Sequence, residues 1–185
     1  MLNKEKNPEN YYRIAIVGSD DELLSDADKQ NLFPLCNELG KLLVSNNCIV
    51  FTGGDGGVGK EVLKGVRENG GITISFFPGM ENTLGDGLVT IPILTGVGYG
   101  IRDIIMLRSV EGVIAISGGC GTLNELTNAY HLYKPIVVLK GSGGWSERLG
   151  GQYIDERKKV RIECCDTPKE IIKKIITEIN KKRRL

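Results

Sequence analysis

The residues best suited to chemistry lie in one glycine-rich run, Ser117-Gly118-Gly119-Cys120-Gly121-Thr122. Glycine permits positive φ angles and close approach of the backbone, so successive N–H groups can converge on an anion. A helix that follows such a run adds the positive end of its dipole. The run therefore predicts a phosphate-binding loop, and a tight turn between a strand and a helix is the alternative for this loop taken alone.

Two further glycine-rich segments, Gly18-Ser19-Asp20 and Gly53 to Gly59, also follow apolar runs typical of strands. Ligands of open parallel sheets bind beyond the carboxyl ends of the strands, where these loops would meet. Three such loops predict one crevice for a phosphate-bearing ligand. The residues expected to contact the ligand are Gly18, Ser19, Gly53, Gly54, Gly56, Gly57, Gly118, Gly119, Gly121 and Thr122.

The second segment nearly fits two known nucleotide-binding motifs. Gly54 to Gly59 matches G-x-G-x-x-G, but a dinucleotide site needs an acidic residue at the end of the next strand, where this chain has Phe76-Phe77-Pro78-Gly79. Gly54 to Lys60 also matches the first part of a P-loop, yet Glu61 stands where a Ser or Thr would bind magnesium. NAD binding and P-loop chemistry are therefore disfavoured.

Glu125 follows the run at 117–122 closely enough to act beside a bound phosphate. Thr122-Leu123-Asn124-Glu125 has the S/T-x-x-E pattern of a helix capping box, which would account for both end residues. A carboxylate at this place could instead stabilise positive charge on a ribose ring or move a proton. Both interpretations stay open, and Glu125 is a candidate catalytic residue.

Arg102 is the second candidate for catalysis. It falls in the first turn of a predicted helix, where a cation opposes the helix dipole at a cost of about 0.3 to 1 kcal/mol. A residue that breaks a local rule is often functional, and a guanidinium group suits a phosphate or a carboxylate. A surface arginine is the alternative. Asp103 suits the same helix end electrostatically and needs no functional explanation.

Alternating strand and helix patterns position these residues. Apolar runs rich in β-branched side chains recur between segments with helical spacing, which is typical of βα units. The predicted fold is α/β, a Rossmann-like, doubly wound, mostly parallel sheet of six to seven strands with helices on both faces. The predicted strands span 12–17, 48–52, 72–77, 88–94, 112–117, 135–140 and, more weakly, 161–164. The predicted helices span 28–45, 58–68, 101–110, 122–133 and 168–182.

The chain is predicted to have a disordered N-terminus over residues 1–11 and a single Rossmann-like nucleotide-binding domain over residues 12–185. No composition shift or internal repeat indicates a second domain. The segment 141–159 has no clear periodicity. It is either a mobile lid over the site or a flexible excursion.

Composition and charge disfavour several classes of protein. The formal net charge of +1 gives no strong field for nucleic acid or an anionic membrane surface. The five cysteines lack paired C-x-x-C spacing, so we expect reduced thiols and no metal site. The N-terminus has no signal-peptide pattern and no apolar run approaches the ~20 residues that span a bilayer. We expect a cytoplasmic protein.

The run Gly118-Gly119-Cys120-Gly121-Thr122-Leu123-Asn124-Glu125 resembles the G-G-x-G-T-x-x-E motif of the Lonely Guy superfamily, once misnamed lysine decarboxylases. Gly53-Gly54, Gly56-Gly57 and Arg102 occur in the order of that family, over roughly residues 13–140. The resemblance implies a Rossmann-like fold and a homodimer or higher homo-oligomer. It also implies that Arg102 and Glu125 match the catalytic pair of the enzymatic branch, with Gly118, Gly119, Gly121 and Thr122 as the phosphate loop.

Two departures indicate a particular branch of that superfamily. The enzymatic branch typically has Pro before the two glycines and Lys or Asn after the arginine, whereas this chain has Ser117 and Asp103. The compact glycine layout is more similar to the branch that includes molybdenum cofactor carrier proteins. The leading hypothesis is therefore a binding or carrier protein for a phosphate-bearing nucleotide or a nucleotide-like cofactor of molybdopterin type, with no further cofactor required.

The alternative is a phosphoribohydrolase that splits a nucleoside 5′-monophosphate into free base and ribose 5-phosphate without a metal. A third hypothesis is single-stranded DNA binding, as in the related fold of DNA-processing protein A. Nucleic acid is disfavoured as a partner, because aromatic residues make up only 6% of the chain and single-strand sites stack bases on aromatic rings.

Overall fold

Seven strands form one sheet in the computed structural model, which describes residues 11–54, 56–80 and 87–184. The strands are β1 Tyr12–Gly18, β2 Cys48–Thr52, β3 Thr73–Phe77, β4 Ile91–Leu94, β5 Gly112–Ile116, β6 Ile136–Leu139 and β7 Ile162–Cys165. Their order across the sheet is β4-β3-β2-β1-β5-β6-β7, and every neighbouring pair is parallel. The predicted α/β fold is confirmed, and its sheet is wholly parallel.

Six α-helices connect or flank these strands in the described part of the chain. They are α1 Asp26–Ser45, α2 Gly57–Glu68, α3 Tyr99–Ser109, α4 Cys120–His131, α5 Gly144–Leu149 and α6 Pro168–Arg183, with a short 3-10 helix at Asp21–Leu23. No helix among the described residues combines the length and apolarity that crossing a membrane would require.

The buried side chains form two clusters, one on each face of the sheet. Along β1, Ile14 and Ile16 join the cluster that α1, α2 and α6 cover, whereas Ala15 and Val17 join the cluster of α3 and α4. Successive side chains of a strand point to opposite faces, so a central strand covered by helices on both sides must be apolar throughout. The doubly wound arrangement is thereby confirmed.

The chain order reverses at β1, which lies between β2 and β5. The loops that follow β1 and β5 run to opposite sides of the sheet, so a crevice opens between them at the carboxyl ends of the strands. All three predicted glycine loops follow β1, β2 or β5 and meet at this edge.

The predicted strand 88–94 is shorter than expected, because pairing with β3 begins only at Ile91. The side chain of Thr73 explains the difference. Its hydroxyl donates to the Leu88 carbonyl at 2.7 Å and accepts the Thr90 N–H at 2.8 Å, an N–H that the Thr73 carbonyl also accepts at 3.1 Å. This edge strand is therefore anchored at its start by a side chain.

Helix α5 was not predicted, because its six residues, Gly144–Leu149, are too few to show helical spacing. The predicted disordered N-terminus lies almost entirely outside the described residues, which begin at Tyr11. The division into a single domain over 12–185 stays a prediction.

Candidate functional site

An open pocket of about 370 Å³ lies at the carboxyl ends of β1, β2 and β5. Ten of the twelve predicted site residues line it, namely Gly18, Ser19, Gly53, Gly54, Gly56, Arg102, Gly119, Gly121, Thr122 and Glu125. Gly57 and Gly118 are not part of the lining. The pocket also includes residues that were not predicted, among them Asp20, Leu23, Tyr99 and Asp103.

The N-terminus of α4 opens into the pocket. The helix begins at Cys120 with Gly119 as its N-cap, and no side chain caps it. Of the two interpretations left open for Thr122 and Glu125, the capping box is therefore wrong: glycine at 119 allows the helix to begin two residues before the predicted start at 122, so Thr122 lies within its first turn. The first N–H groups of a helix have no intrahelical partner, and here they form a positive wall.

The loop before α4 is held by serine side chains. The Ser19 hydroxyl donates to Ser117 Oγ at 2.9 Å and accepts the Gly118 N–H at 2.8 Å. The Ser142 hydroxyl accepts the Ser117 N–H at 2.9 Å and donates to the Leu139 carbonyl at 2.7 Å. Ser117 itself has a φ of 58°. A positive φ costs free energy in any residue other than glycine, and the buried hydrogen-bond network holds Ser117 in this conformation.

Helix α5 supports the same loop through backbone hydrogen bonds. The Trp145 N–H donates to the Gly118 carbonyl at 2.9 Å, and the Ser146 N–H donates to the Ser117 carbonyl at 3.2 Å. Trp145 packs against the core cluster of α3 and α4. Residues 144–149 are therefore neither a lid nor a flexible excursion but a packed support of the loop.

The second glycine loop is built for close packing. The Gly57 N–H donates to the Asp21 carboxylate at 3.1 Å, so the N-terminus of α2 already faces a negative charge. Gly57 has a φ of 51°, and a Cβ there would lie 2.0 Å from the Ser19 carbonyl oxygen. Glycine at this position thus allows β1 and α2 to approach each other closely. The sequence alone cannot distinguish a glycine needed for this packing from a glycine that contacts a ligand.

Arg102 is fixed at one side of the pocket. Its side chain is buried, and Nη1 donates to the Phe76 carbonyl at 2.8 Å. Nε lies 2.9 Å from the Asp103 carboxylate, although the two atoms are not aligned for a hydrogen bond. A Cβ at Gly53 would lie 2.4 Å from Nη1, so glycine there leaves room for the guanidinium group. The charge of Arg102 is balanced within the protein.

Glu125 lies in the same pocket one turn along α4. Only 9% of it is exposed, and burial together with the nearby Asp103 raises its pKa to about 8, while Arg102 acts in the opposite direction. Burial also raises the pKa of Asp103, opposed by Arg102 and by a hydrogen bond from Asn124 at 3.4 Å. Glu125 is thus mainly a neutral carboxylic acid at pH 7.

Asp103 is the functional candidate that the sequence analysis missed. Its helix-end position offered an electrostatic explanation that needed no ligand. The available signal was its place next to Arg102, since the two candidate catalytic residues face it from α3 and α4. Within the described residues, no group of three or more His, Cys, Asp or Glu side chains is arranged to hold a metal ion.

Several solved structures are similar to this chain. The protein TM1055 is 32% identical with a TM-score of 0.81, and the match covers 90% of this chain and 99% of that one. A molybdenum cofactor binding protein from the phototrophic bacterium Rippkaea orientalis is 25% identical with a TM-score of 0.76, covering 91% and 98%. The Moco carrier protein of Chlamydomonas reinhardtii is 28% identical with a TM-score of 0.75, covering 93% and 99%.

These likenesses confirm the predicted relation to the Lonely Guy-like Rossmann superfamily near its molybdenum cofactor carrier branch. The model of one family matches residues 11–172, which span all seven strands and the whole pocket. The chain therefore belongs to the SLOG cluster4 family.

Proposed function

We propose that this protein is a binding or carrier protein for a phosphate-bearing, nucleotide-like cofactor of molybdenum cofactor type. The observation that carries the proposal is the uncapped N-terminus of α4, which opens into the pocket at Gly119 and Gly121. A helix N-terminus with free N–H groups binds phosphate well. The similar proteins named as molybdenum cofactor binding or carrier proteins support a carrier role at the level of the family.

The shape and charges of the pocket agree with such a ligand. Its volume of about 370 Å³ is within the usual range for small-molecule sites. Asp103 balances Arg102, so among the described residues that line the pocket the α4 N-terminus is the positive feature that remains for a phosphate. The chain's own residues would hold the phosphate at 119–122 and the ring beyond it.

A carboxylate placed at the α4 N-terminus tests the phosphate position. A Cβ at Gly121 would meet nothing within 4 Å, so Gly121→Asp can be accommodated, and its charge would favour the helix N-terminus. We expect the affinity for ribose 5-phosphate and for nucleoside monophosphates, measured by calorimetry, to fall about tenfold or more through charge repulsion. The melting temperature should not fall.

Gly121→Ala is the matched control for this substitution. It adds a Cβ at the same place without charge, so binding should stay within about threefold of the original protein. Equal affinities for Gly121→Asp and Gly121→Ala would place the phosphate elsewhere and contradict the proposal.

A second candidate function is hydrolysis of nucleoside 5′-monophosphates. Its support is Glu125, which is buried and lines the pocket. Burial raises the pKa of Glu125 to about 8, so this carboxyl group can donate a proton near neutral pH. In this reaction Glu125 would assist departure of the base while the fixed Arg102 orients the ribose phosphate.

Release of ribose 5-phosphate from a monophosphate panel tests this candidate. The original protein should release it, and Glu125→Gln, which cannot donate an acidic proton, should lower the rate about a hundredfold or more. If no monophosphate is turned over, the hydrolase candidate is contradicted and only the carrier proposal stands.

We also propose that the protein forms a homo-oligomer through α3. Ile101, Ile104 and Ile105 lie on one face of this helix and are 57%, 36% and 38% exposed. Apolar side chains at this spacing form a stripe, and a second copy related by a two-fold axis would present the same stripe. The stripe adjoins Tyr99 at the pocket, so association would also shape the site.

Single-stranded DNA binding gains no support from the pocket. Tyr99 is the one aromatic side chain among the described residues that line it, and single-strand sites stack successive bases on several such rings.

A further inference from the structure

A second cavity, of about 160 Å³, lies at the amino ends of β6 and β7. Pro135 and Ile136 line it at the start of β6, Arg161 lines it just before β7, and the end of α6 closes one side. All strands run parallel, so this cavity lies on the side of the sheet away from the pocket at the carboxyl ends. Small-molecule sites usually begin at about 300 Å³, so the cavity suits a small ion better than a whole nucleotide.

Two lysine side chains from different segments meet at this cavity. Lys159 belongs to the segment before β7, and Lys182 lies in the last turn of α6. Lys159 Nζ lies 4.6 Å from the centre of the Tyr133 ring, and Lys182 Nζ lies 5.9 Å from the same point. Because both distances end at one ring, the two ammonium groups are near neighbours in space.

The two carboxylates that line the cavity are already neutralised by other cations. Glu163 lies 3.2 Å from Arg161 Nη1 and 3.3 Å from Lys174 Nζ. The Glu178 carboxylate accepts a hydrogen bond from Lys181 Nζ at 2.7 Å. Neither acid is therefore a dedicated counterion for the two lysines over the Tyr133 ring.

Lys159 and Lys182 form no ion pair among the residues that the structure describes. Burial and the nearby Lys134 charge lower the pKa of Lys182, although Glu178 raises it. Burial also lowers the pKa of Lys134, whose ammonium group donates to the Val110 carbonyl. An anion between the lysines would offset both the lost hydration and the mutual repulsion.

The dipole of α6 accounts for only one of these charges. A cation at position 182 is favoured by the C-terminal end of the helix. Lys159 and Lys134 lie outside the helices, before β7 and β6 respectively, so the dipole does not explain them. The Tyr133 ring attracts ammonium groups but carries no charge that neutralises them.

We propose that this cavity is a second binding site, for a doubly charged oxyanion of phosphate or sulfate type held between Lys159 and Lys182. Two unpaired ammonium groups balance two negative charges, and each can donate charge-assisted hydrogen bonds to the oxygens. The anion is either a free ion or the terminal phosphate of a small molecule. The site is separate from the pocket, so it does not depend on the proposed function.

Amide NMR titrations locate and rank the bound ions. Phosphate, sulfate, glycerol 3-phosphate and chloride are added to the full chain at equal ionic strength. Signals of Tyr133, Lys159 and Lys182 should shift and saturate with phosphate or sulfate at an affinity about tenfold or more above that for chloride. Signals at 119–122 report the pocket independently. The order of phosphate and glycerol 3-phosphate distinguishes a free ion from a phosphate group on a larger molecule.

A charge-removing double variant tests the two lysines. Lys159→Gln with Lys182→Gln should lower the affinity measured at the cavity about tenfold or more, while shifts at 119–122 stay unchanged. Lys169→Gln with Lys173→Gln removes the same charge from exposed positions of α6 outside the cavity lining, so binding should stay within about threefold. Lys159→Arg with Lys182→Arg retains both charges and should retain binding. Circular dichroism checks that each variant is folded.

Three results would overturn the proposal. The first is the absence of saturable shifts at the cavity with phosphate, sulfate and glycerol 3-phosphate. The second is an equal loss of affinity in the two glutamine double variants, which would indicate a response to net charge alone. The third is a single-stranded oligonucleotide that shifts these signals when the small anions do not, because the surface would then bind a polyanion. None of these results bears on the signals at 119–122, so the proposed function is tested separately.

Discussion

Glu125 shows how three neighbouring charged groups divide their roles. Arg102 and Asp103 face it from α3, and the two of them form an ion pair at 2.9 Å. Glu125 has no such partner among the described residues, so burial and the Asp103 charge determine its protonation. A neutral acid in a pocket can either donate a proton or give it up when a ligand offers donors.

The raised pKa of Glu125 predicts a pH dependence of stability. The carboxyl titrates at 4.5 in its ordinary environment and at about 8 in the folded protein, so the folded state retains the proton between these values. Its contribution is fully present below pH 4.5 and is lost as pH rises through about 8, to the extent of a few kcal/mol. Asp103, also raised, acts in the same direction.

Urea unfolding between pH 5 and about 9 measures this effect. The original protein should lose stability as pH rises, whereas Glu125→Gln, which cannot ionise, should give a flatter profile. The exposed Glu156→Gln serves as control and should follow the original protein. Parallel profiles for the original protein and Glu125→Gln would show that Glu125 is ionised in the fold.

At the scale of elements, α5 determines the shape of the loop between β5 and α4. Its first N–H groups bind the carbonyls of Ser117 and Gly118, and a Cβ at Gly144 would lie 2.5 Å from the Gly118 backbone. The loop is thus held between Ser19 on one side and α5 on the other. Such support preorganises the N–H groups that would meet a phosphate.

Alanine substitutions at two adjacent glycines, Gly143 and Gly144, distinguish the effect of a steric contact from the effect of backbone strain. Gly143 and Gly144 have φ angles of 74° and 61°, but a Cβ at Gly143 would meet nothing within 4 Å. We expect Gly144→Ala to destabilise the protein by about 2 kcal/mol more than Gly143→Ala, because only the former forces α5 away from the loop. Ligand affinity should fall in Gly144→Ala alone. Similar thermal shifts for both variants would mean that α5 does not constrain the loop.

At the scale of the whole molecule, an exposed apolar stripe and a basic segment lie on different helices. The isoleucine stripe of α3 lies beside the pocket, while the C-terminal end of α6 carries Lys181, Lys182 and Arg183, which suit that end of a helix. The basic tail is thus accounted for by the helix, and Arg183 binds Glu111 at 2.7 Å. The apolar stripe has no such explanation among the residues that the structure describes.

Replacing one isoleucine of the stripe tests the proposed homo-oligomer. Ile104→Glu buries a charge in the interface and should shift the protein towards the monomer, as measured by native mass spectrometry and analytical ultracentrifugation. Tyr153→Glu, at an exposed aromatic residue away from α3, should leave the mass unchanged. A monomeric original protein, or an unchanged mass in Ile104→Glu, contradicts the proposal.

The sequence by itself determined the strand and helix pattern and the edge where the site lies. Local periodicity indicated every strand and five of the six helices described, because burial against a sheet imposes spacing on each segment separately. The glycine loops after β1, β2 and β5 were placed correctly for the same reason, since each follows a recognisable apolar strand. Arg102 and Glu125 were selected as candidates from local rules and line one pocket.

Only the tertiary structure decided what these residues do to one another. The use of the Gly57 N–H by Asp21 and the support from α5 both depend on contacts between segments distant in the chain. The raised pKa of Glu125 depends on burial and on a charge carried by another helix. Electrostatic energy and close packing depend on distances in space, and spacing along the chain does not report those distances.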